Sequence, residues 1–346
     1  MAGHSKAPSN LGRLLRVAKG RKRAAVLTHD NPDPDSLASA WALSVLLEKR
    51  ARVPSTIVYG GIIGRSENIA FVRSLKVPIV AASAVDFDSF DLLALVDTQE
   101  NVGNHALPPN KRAHIIIDHH PLRDDAPPAA FADVGRAFGA TSTLLTEYLK
   151  EAHIDPGPEL ATALYYGIKA DTRDLARQTN DPDVAAYLWL FPRIDRDALR
   201  HIEHPSVPAR YFRLYHEAIA RARVFPGGVM ADLGEVYSPD MVAEVAERLS
   251  FLDECKWSLA VGAYGRQLYL SLRLSDRRIN AGRLVRELCA SMGGSAGGHG
   301  SMAGARIPLP RETKARARLK QEVFRRFRKG FGVEGTRGLS LLSDDV

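Results

Sequence analysis

The chain has 346 residues, of which 45% are hydrophobic and 25% charged, with a net charge of +7 and two cysteines. That length permits a large core in one or two domains, while two cysteines far apart exclude both a disulfide framework and a zinc knuckle. No stretch approaches a membrane span and no apolar segment with a cleavage site follows the basic start, so a cytoplasmic enzyme with no membrane contact is expected.

Taken in order, the first apolar run, 24–28, ends at His29-Asp30-Asn31-Pro32-Asp33-Pro34-Asp35, one imidazole and three carboxylates within seven residues. A helix is predicted over 37–49, with Asp35 and Ser36 as its N-terminal cap. Two further apolar runs end alike: 92–96 stops at Asp97, and 115–117 stops at Asp118-His119-His120. Continuous apolar runs mark strands buried on both faces, which belong to parallel sheets. In open sheets of this kind ligands bind beyond the carboxyl ends of the strands. Three strands would thus deliver carboxylates and imidazoles to one edge.

Gathered there, each pair of like charges at about 4 Å costs roughly 4 kcal/mol at an effective dielectric near 20. Either several carboxylates protonate or cations sit among them. A donor set rich in carboxylate with some imidazole suits Mn²⁺ or Mg²⁺. An EF-hand is excluded, because Ser36 stands where its glycine belongs and Ala42 where its bidentate Glu belongs. Two divalent ions bridged by one carboxylate would clamp a phosphoryl group and activate a water, which points to hydrolysis of a phosphate ester.

Helical patterns follow over 139–151 and 159–170, the second ending at Asp171. Strands alternating with helices from about 20 to 195 predict a parallel α/β domain. The charged stretch 196–226, interrupted by Pro205 and Pro208, reads as a helical linker. From 227 to 330 come strands over 229–233, 257–264 and 268–274 and helices over 241–252 and 281–290, a smaller α+β domain without carboxylate clusters. Its Gly297-Gly298-His299-Gly300 lacks the Lys-Ser/Thr ending of a P-loop. It offers backbone N–H groups open to an anion, and Arg273 on a strand before it could grip a phosphate bidentately.

Charge is placed unevenly. Residues 1–29 hold seven Lys/Arg and no acid, and residues 311–329 hold nine Lys/Arg against Glu312 and Glu322, so the remainder is net acidic. The basic 1–19 segment and the basic stretch near the C-terminus could contact nucleic acid or simply be solvated faces. Residues 331–346 are read as a tail.

The succession His29-x-Asn31-Pro32-Asp33-x-Asp35, a strand-end Asp97, Asp118-His119-His120, Gly167-Ile168-Lys169-Ala170-Asp171-Thr172 and the Gly297-Gly298-His299 block resembles the DHH phosphoesterase family, which includes RecJ-like exonucleases, nanoRNases and cyclic dinucleotide phosphodiesterases. The resemblance covers most of residues 20 to 310. It implies a parallel-sheet DHH domain over 20–195 and a DHH-associated substrate domain over 227–330, with the active site in the cleft between them. By the same resemblance one metal is held by His29, Asp33 and Asp97, and a second by Asp35, Asp97, His119 and Asp171, with Mn²⁺ the expected ion and Mg²⁺ the alternative. Asp118 and His120 join Asp97 as catalytic groups around the metals, and Arg273, Gly297, Gly298 and His299 bind substrate. Arg173 departs from the small residue common in the family after the fourth block, and Ala296 from a glycine.

The expected reaction is hydrolysis of very short oligonucleotides or dinucleotides, and of 3′-phosphoadenosine 5′-phosphate, by a two-metal mechanism that needs no Ser or Cys nucleophile. Cyclic dinucleotide hydrolysis and RecJ-like single-strand DNA exonuclease activity are the alternatives within the enzyme class, and inorganic pyrophosphate hydrolysis lies in the wider superfamily. A non-catalytic nucleotide sensor is the alternative outside it. A homodimer is compatible with all of these.

Overall fold

The computed structural model describes residues 9–344 apart from residue 277, and it does not describe the side chain of residue 299. Two compact units are present, residues 1–206 and 207–346. The first eight residues of the basic N-terminal segment lie outside the described residues.

The first unit is built on six parallel strands: β1 (Ala24–Leu27), β2 (Ser55–Tyr59), β3 (Ile79–Ala81), β4 (Leu92–Val96), β5 (Ile115–Asp118) and β6 (Phe131–Val134). Their order in the sheet is β3-β2-β1-β4-β5-β6. The chain adds strands on one side of β1 and then on the other, so the switch point lies between β1 and β4. The residues that immediately follow these two strands are the Thr28-His29 pair and Asp97.

Alternate residues of each strand serve two cores, which is why the runs read as continuously apolar. Ala24, Val26, Leu92, Ala94, Val96, Ile115 and Ile117 face the larger core. That side is covered by α1 (Asn10–Ala18), α2 (Pro34–Leu46), α3 (Ser66–Leu75), α4 (Thr141–Glu151), α5 (Gly157–Thr172), α6 (Asp181–Leu190) and α7 (Arg196–Glu203). Ala25, Leu27, Leu93, Leu95 and Ile116 face the other side, which is closed by Ala82, Val85, Phe87 and Phe90 and by Leu107 and Ala113. The second face is therefore covered by short connections, two of them single 3-10 turns, instead of α-helices. The N-terminal cap of α2 is Asp33, whose carboxylate accepts from the Ser36 amide at 3.0 Å; Pro34 is the first helical residue and Asp35 lies inside the helix. This corrects the capping role expected of Asp35.

The second unit is a seven-stranded mixed sheet between two helical layers. It comprises α8 (Ala209–Arg221), β7 (Arg223–Phe225), β8 (Gly228–Glu235), α9 (Asp240–Leu249), β9 (Trp257–Tyr264), β10 (Gln267–Leu274), α10 (Ala281–Leu288), β11 (Ser295–His299), β12 (Met302–Pro308), α11 (Thr313–Gly330) and β13 (Leu339–Ser340). The sheet order is β11-β12-β10-β9-β8-β7-β13. Leu268, Leu270, Leu272 and Leu274 pack with Val285 of α10 and Val323 and Phe327 of α11. On the opposite side Val229, Ala231 and Leu233 pack with Leu214 of α8 and Met241, Val242 and Val245 of α9. Of the stretch 196–226 expected as a linker, α7 belongs to the first unit and α8 to the second. No described helix is long and apolar enough to cross a membrane.

Candidate metal centre

His29 and Asp33 come from the segment between β1 and α2, Asp97 from the end of β4, Asp118, His119 and His120 from the end of β5, and Asp171 from the last turn of α5. The structure brings them together as three overlapping groups: His29, Asp33 and Asp97; Asp35, His119 and Asp171; and Asp97, Asp118, His119 and His120. His29 Nε2 lies 3.6 Å from Asp33 Oδ1 and 3.6 Å from Asp97 Oδ2. His119 Nε2 lies 3.6 Å from Asp97 Oδ1 and 3.2 Å from Asp171 Oδ2. The two oxygens of Asp97 therefore turn to two different clusters, one led by each imidazole.

Several features of the local fold hold this arrangement. Asn31 takes a left-handed backbone (φ 54°), and its side-chain oxygen accepts from the Ile62 amide at 2.9 Å, pinning the turn before Asp33. Asp97 is also left-handed (φ 56°) although buried, a conformation Asp tolerates better than most residues and one that concentrates at functional sites. Asp35 accepts from the Thr141 and Ser142 amides at 2.8 and 2.7 Å. Those are first-turn donors of α4, so a helix N-terminus faces this carboxylate. Thr141 Oγ1 donates to Asp97 Oδ1 at 2.8 Å. Thr141 and Ser142 were not singled out from the sequence; a Thr-Ser-Thr run following Gly139 at a helix start is the signal that could have found them.

Both imidazoles are held in a fixed orientation. His29 Nδ1 lies 2.9 Å from the Asp30 carbonyl oxygen and His119 Nδ1 3.2 Å from that of Phe138. A carbonyl only accepts, so each Nδ1 donates and each neutral ring keeps its lone pair on Nε2. His119 Nε2 is buried and makes no hydrogen bond among the described residues. A buried nitrogen lone pair left without a donor, among carboxylate oxygens, is the environment a divalent cation fits. His120 differs, because its Nδ1 pairs with Asp118 Oδ1 at 2.8 Å while Gln99 donates to Asp118 Oδ2 at 2.7 Å. Its side chain is 39% exposed.

Electrostatics register the crowding. Burial, then the neighbouring carboxylates Asp35, Asp33, Asp118 and Asp171, drive Asp97 well above the usual carboxylate range. Burial, then the Asp35 and Asp33 carboxylates, raise Asp171, and burial raises Asp35. Burial opposes the charged form of His29, yet its contacts with Asp33 carry it up to about 9. Asp33 and Asp118 are held low, against burial, by His29 and His120 respectively.

Gly167 lets α5 come close enough to place Asp171. A Cβ there would lie 2.4 Å from Ser142 Oγ and 3.2 Å from the Asp35 Cα. Gly167→Ala is expected to destabilise the protein by about 1–3 kcal/mol, the usual cost of overpacking, and to weaken Mn²⁺ binding by displacing Asp35 and Asp171. Urea unfolding and a Mn²⁺ titration check this; unchanged values in both would refute the close-packing account.

The residues singled out in the second unit form part of its sheet. Arg273 is buried on β10, its guanidinium donating to Ser271 Oγ at 2.7 Å and to the Leu272 and Ala243 carbonyls. Gly297 and Gly298 lie within β11 instead of in a loop, and His299 is its last residue, paired with Met302 across the turn Gly300-Ser301. The His299 side chain lies outside the described residues. Gly298 (φ 145°) has no room for a Cβ, which would meet the Met302 carbonyl oxygen at 2.3 Å, whereas Gly297 borders open space. Part of the basic charge on α11 is satisfied within the unit: Lys320 pairs with Asp232, and Arg325 and Arg326 with Glu322.

Comparison with known proteins matches residues 23–168 to the DHH family N-terminal domain and residues 226–325 to the DHHA1 domain. An uncharacterized protein of Methanocaldococcus jannaschii is 36% identical over 285 residues, covering 82% of this chain and 58% of its own length. The chain thus spans little more than half of that relative. Among solved structures, an exopolyphosphatase-related protein from Bacteroides fragilis superposes with a TM-score of 0.73 at 13% identity, covering 96% of this chain and 99% of that one. An exonuclease RecJ bound to manganese superposes with a TM-score of 0.51 at 17% identity, covering 92% and 94%.

Proposed function

The chain belongs to the DHH phosphoesterase family, its DHH domain followed by a DHHA1 domain, and from that premise we propose that it is a two-metal phosphodiesterase that hydrolyses very short oligonucleotides and linear dinucleotides to mononucleotides. The observation that carries the reading is Asp97, whose two oxygens are directed to separate histidine-carboxylate groups.

In this reading His29, Asp33 and Asp97 hold one divalent ion and Asp35, Asp97, His119 and Asp171 the other. Bound there, the ions would supply Lewis acidity and an activated water. The chain's own residues fix the ligands: Thr141 orients the shared carboxylate, the start of α4 orients Asp35, and the two backbone carbonyls set the histidine tautomers. His120, aligned by Asp118, is assigned the part of proton carrier to the phosphate or to the departing oxygen. Arg273 and the Gly297-Gly298-His299 strand are proposed to bind the substrate phosphates. Mn²⁺ is the proposed ion, in keeping with the oxygen-rich donor set and with the manganese carried by the RecJ structure of the same fold.

Turnover with Mn²⁺ across linear dinucleotides, cyclic dinucleotides, 3′-phosphoadenosine 5′-phosphate, longer RNA and DNA, and pyrophosphate tests the proposal. Linear dinucleotides are expected to give the highest kcat/KM, with mononucleotide products and no turnover in chelator. Fastest turnover of any other class would reassign the substrate, and recovery of every compound unchanged would make the protein a nucleotide-binding sensor.

A further inference from the structure

Strand register in the second unit assembles a second polar row on the sheet face that carries Gly297. Residues directly opposite one another in a sheet share a face. One row holds Arg273, Met302 and His299, the next Ser271, Gly304 and Gly297, and the next Tyr269, Arg306 and Ser295. The other face of the same strands, with Leu268, Leu270, Ala303, Ala305 and Ile307, is buried in the core.

In the middle row two of the three positions are glycines, so the face is low there, and nothing lies within 4 Å of where a Gly297 Cβ would stand. The third row brings three donors side by side: a guanidinium between two hydroxyls. Arg306 and Ser295 are exposed and Tyr269 is half-buried. Among the described residues neither the Arg306 guanidinium nor the Tyr269 hydroxyl makes a hydrogen bond or ion pair, whereas Arg273, in the first row, donates to atoms of its own unit. Met302 and Arg306 are four residues apart on one strand, a separation of about 14 Å at 3.4 Å per residue. Two anion positions that far apart suit two phosphates of one molecule joined by an intervening nucleotide.

We propose that Tyr269, Arg306 and Ser295 form a phosphate subsite two linkages beyond the phosphate bound at the His299 end of β11, so that the protein favours a linear oligonucleotide carrying an additional phosphate. The inference rests on the assignment of that strand to substrate binding. Arg306 supplies the charge-assisted contact, and the two hydroxyls complete it.

The test compares wild type, Arg306→Ala, Arg306→Lys and Tyr269→Phe with Mn²⁺ on three substrates: bis(p-nitrophenyl) phosphate, a 5′-phosphorylated dinucleotide and a 5′-phosphorylated trinucleotide. Loss of one charged hydrogen-bond donor is expected to lower kcat/KM on the trinucleotide by about 10- to 100-fold. The loss should fall mainly on KM, with bis(p-nitrophenyl) phosphate unaffected, partial recovery in Arg306→Lys and a smaller loss in Tyr269→Phe. An Arg306→Ala enzyme that keeps wild-type kcat/KM on the trinucleotide, or that loses activity equally on all three substrates, overturns the subsite. A wild-type enzyme that cleaves bis(p-nitrophenyl) phosphate but neither nucleotide instead overturns the functional reading, and this inference with it.

Discussion

Asp97→Asn is expected to abolish phosphodiester hydrolysis while leaving the fold intact. The substitution keeps the side chain's shape and an acceptor for Thr141 Oγ1, and Asn tolerates the left-handed backbone at this position as Asp does. What it removes is the negative charge shared between the two histidine clusters. Loss of a single preorganised group that stabilises charge costs about 10²–10³-fold in turnover; under the proposed two-metal reading, in which Asp97 serves both ions, the loss should be at least roughly 10³-fold. Stability should move the other way. In the metal-free protein, burial and four neighbouring carboxylates disfavour ionisation of Asp97, so the neutral amide relieves that repulsion. The metal-free variant is therefore expected to melt at or above the wild-type temperature, and Mn²⁺ should raise it less. Wild-type turnover by this variant would remove Asp97 from the bridging role.

Metal affinity should rise steeply with pH. Asp97, Asp171 and Asp35 are all raised, first by burial and then, for Asp97 and Asp171, by the other carboxylates, and His29 is carried up to about 9. Each must give up its proton to ligate, so binding releases protons and the Kd for Mn²⁺ falls as pH increases towards 9. The sign for stability follows from linkage. Carboxylates raised in the folded state cost the metal-free protein stability once pH exceeds their unfolded values near 4. The His29 contribution, present below its unfolded value near 6.5, fades as pH rises through about 9. Asp33 and Asp118, held low, contribute above the unfolded carboxylate value and do not change across the neutral range. The gap in Tm between metal-loaded and metal-free protein should accordingly widen from pH 5 to pH 9. At 100-fold excess over Kd the ions should add about 2.7 kcal/mol per site. Calorimetry in buffers of different ionisation enthalpy would count the protons released; a Kd independent of pH would show that these groups do not hold the metal.

Much of the first unit was legible before any coordinates. The runs ending at His29, Asp97 and Asp118 are strands of a parallel sheet, because only strands buried on both faces dispense with polar alternation. The helices ending at Glu151 and leading to Asp171 were visible in their 3.6-residue periodicity. The second unit was half visible. β9 and β10 carry strong β-formers, but β11, Ser-Ala-Gly-Gly-His, has no apolar alternation and reads as a loop; its strand state comes from pairing with β12 and from α10 packing on the Gly298 backbone where Gly282 leaves no side chain.

The chemistry was thus written locally, in residue types and spacings at strand ends, since donor atoms and period-two or period-3.6 patterns are properties of short segments. The convergence was not. That Asp33 rather than Asp35 caps α2, that α4 turns its first amides onto Asp35, that Gly167 admits α5 to within reach of it, and that Arg306 shares a row with Tyr269 depend on contacts between residues far apart in the chain. Such contacts are set by how whole elements pack, and no short stretch of the sequence encodes them by itself.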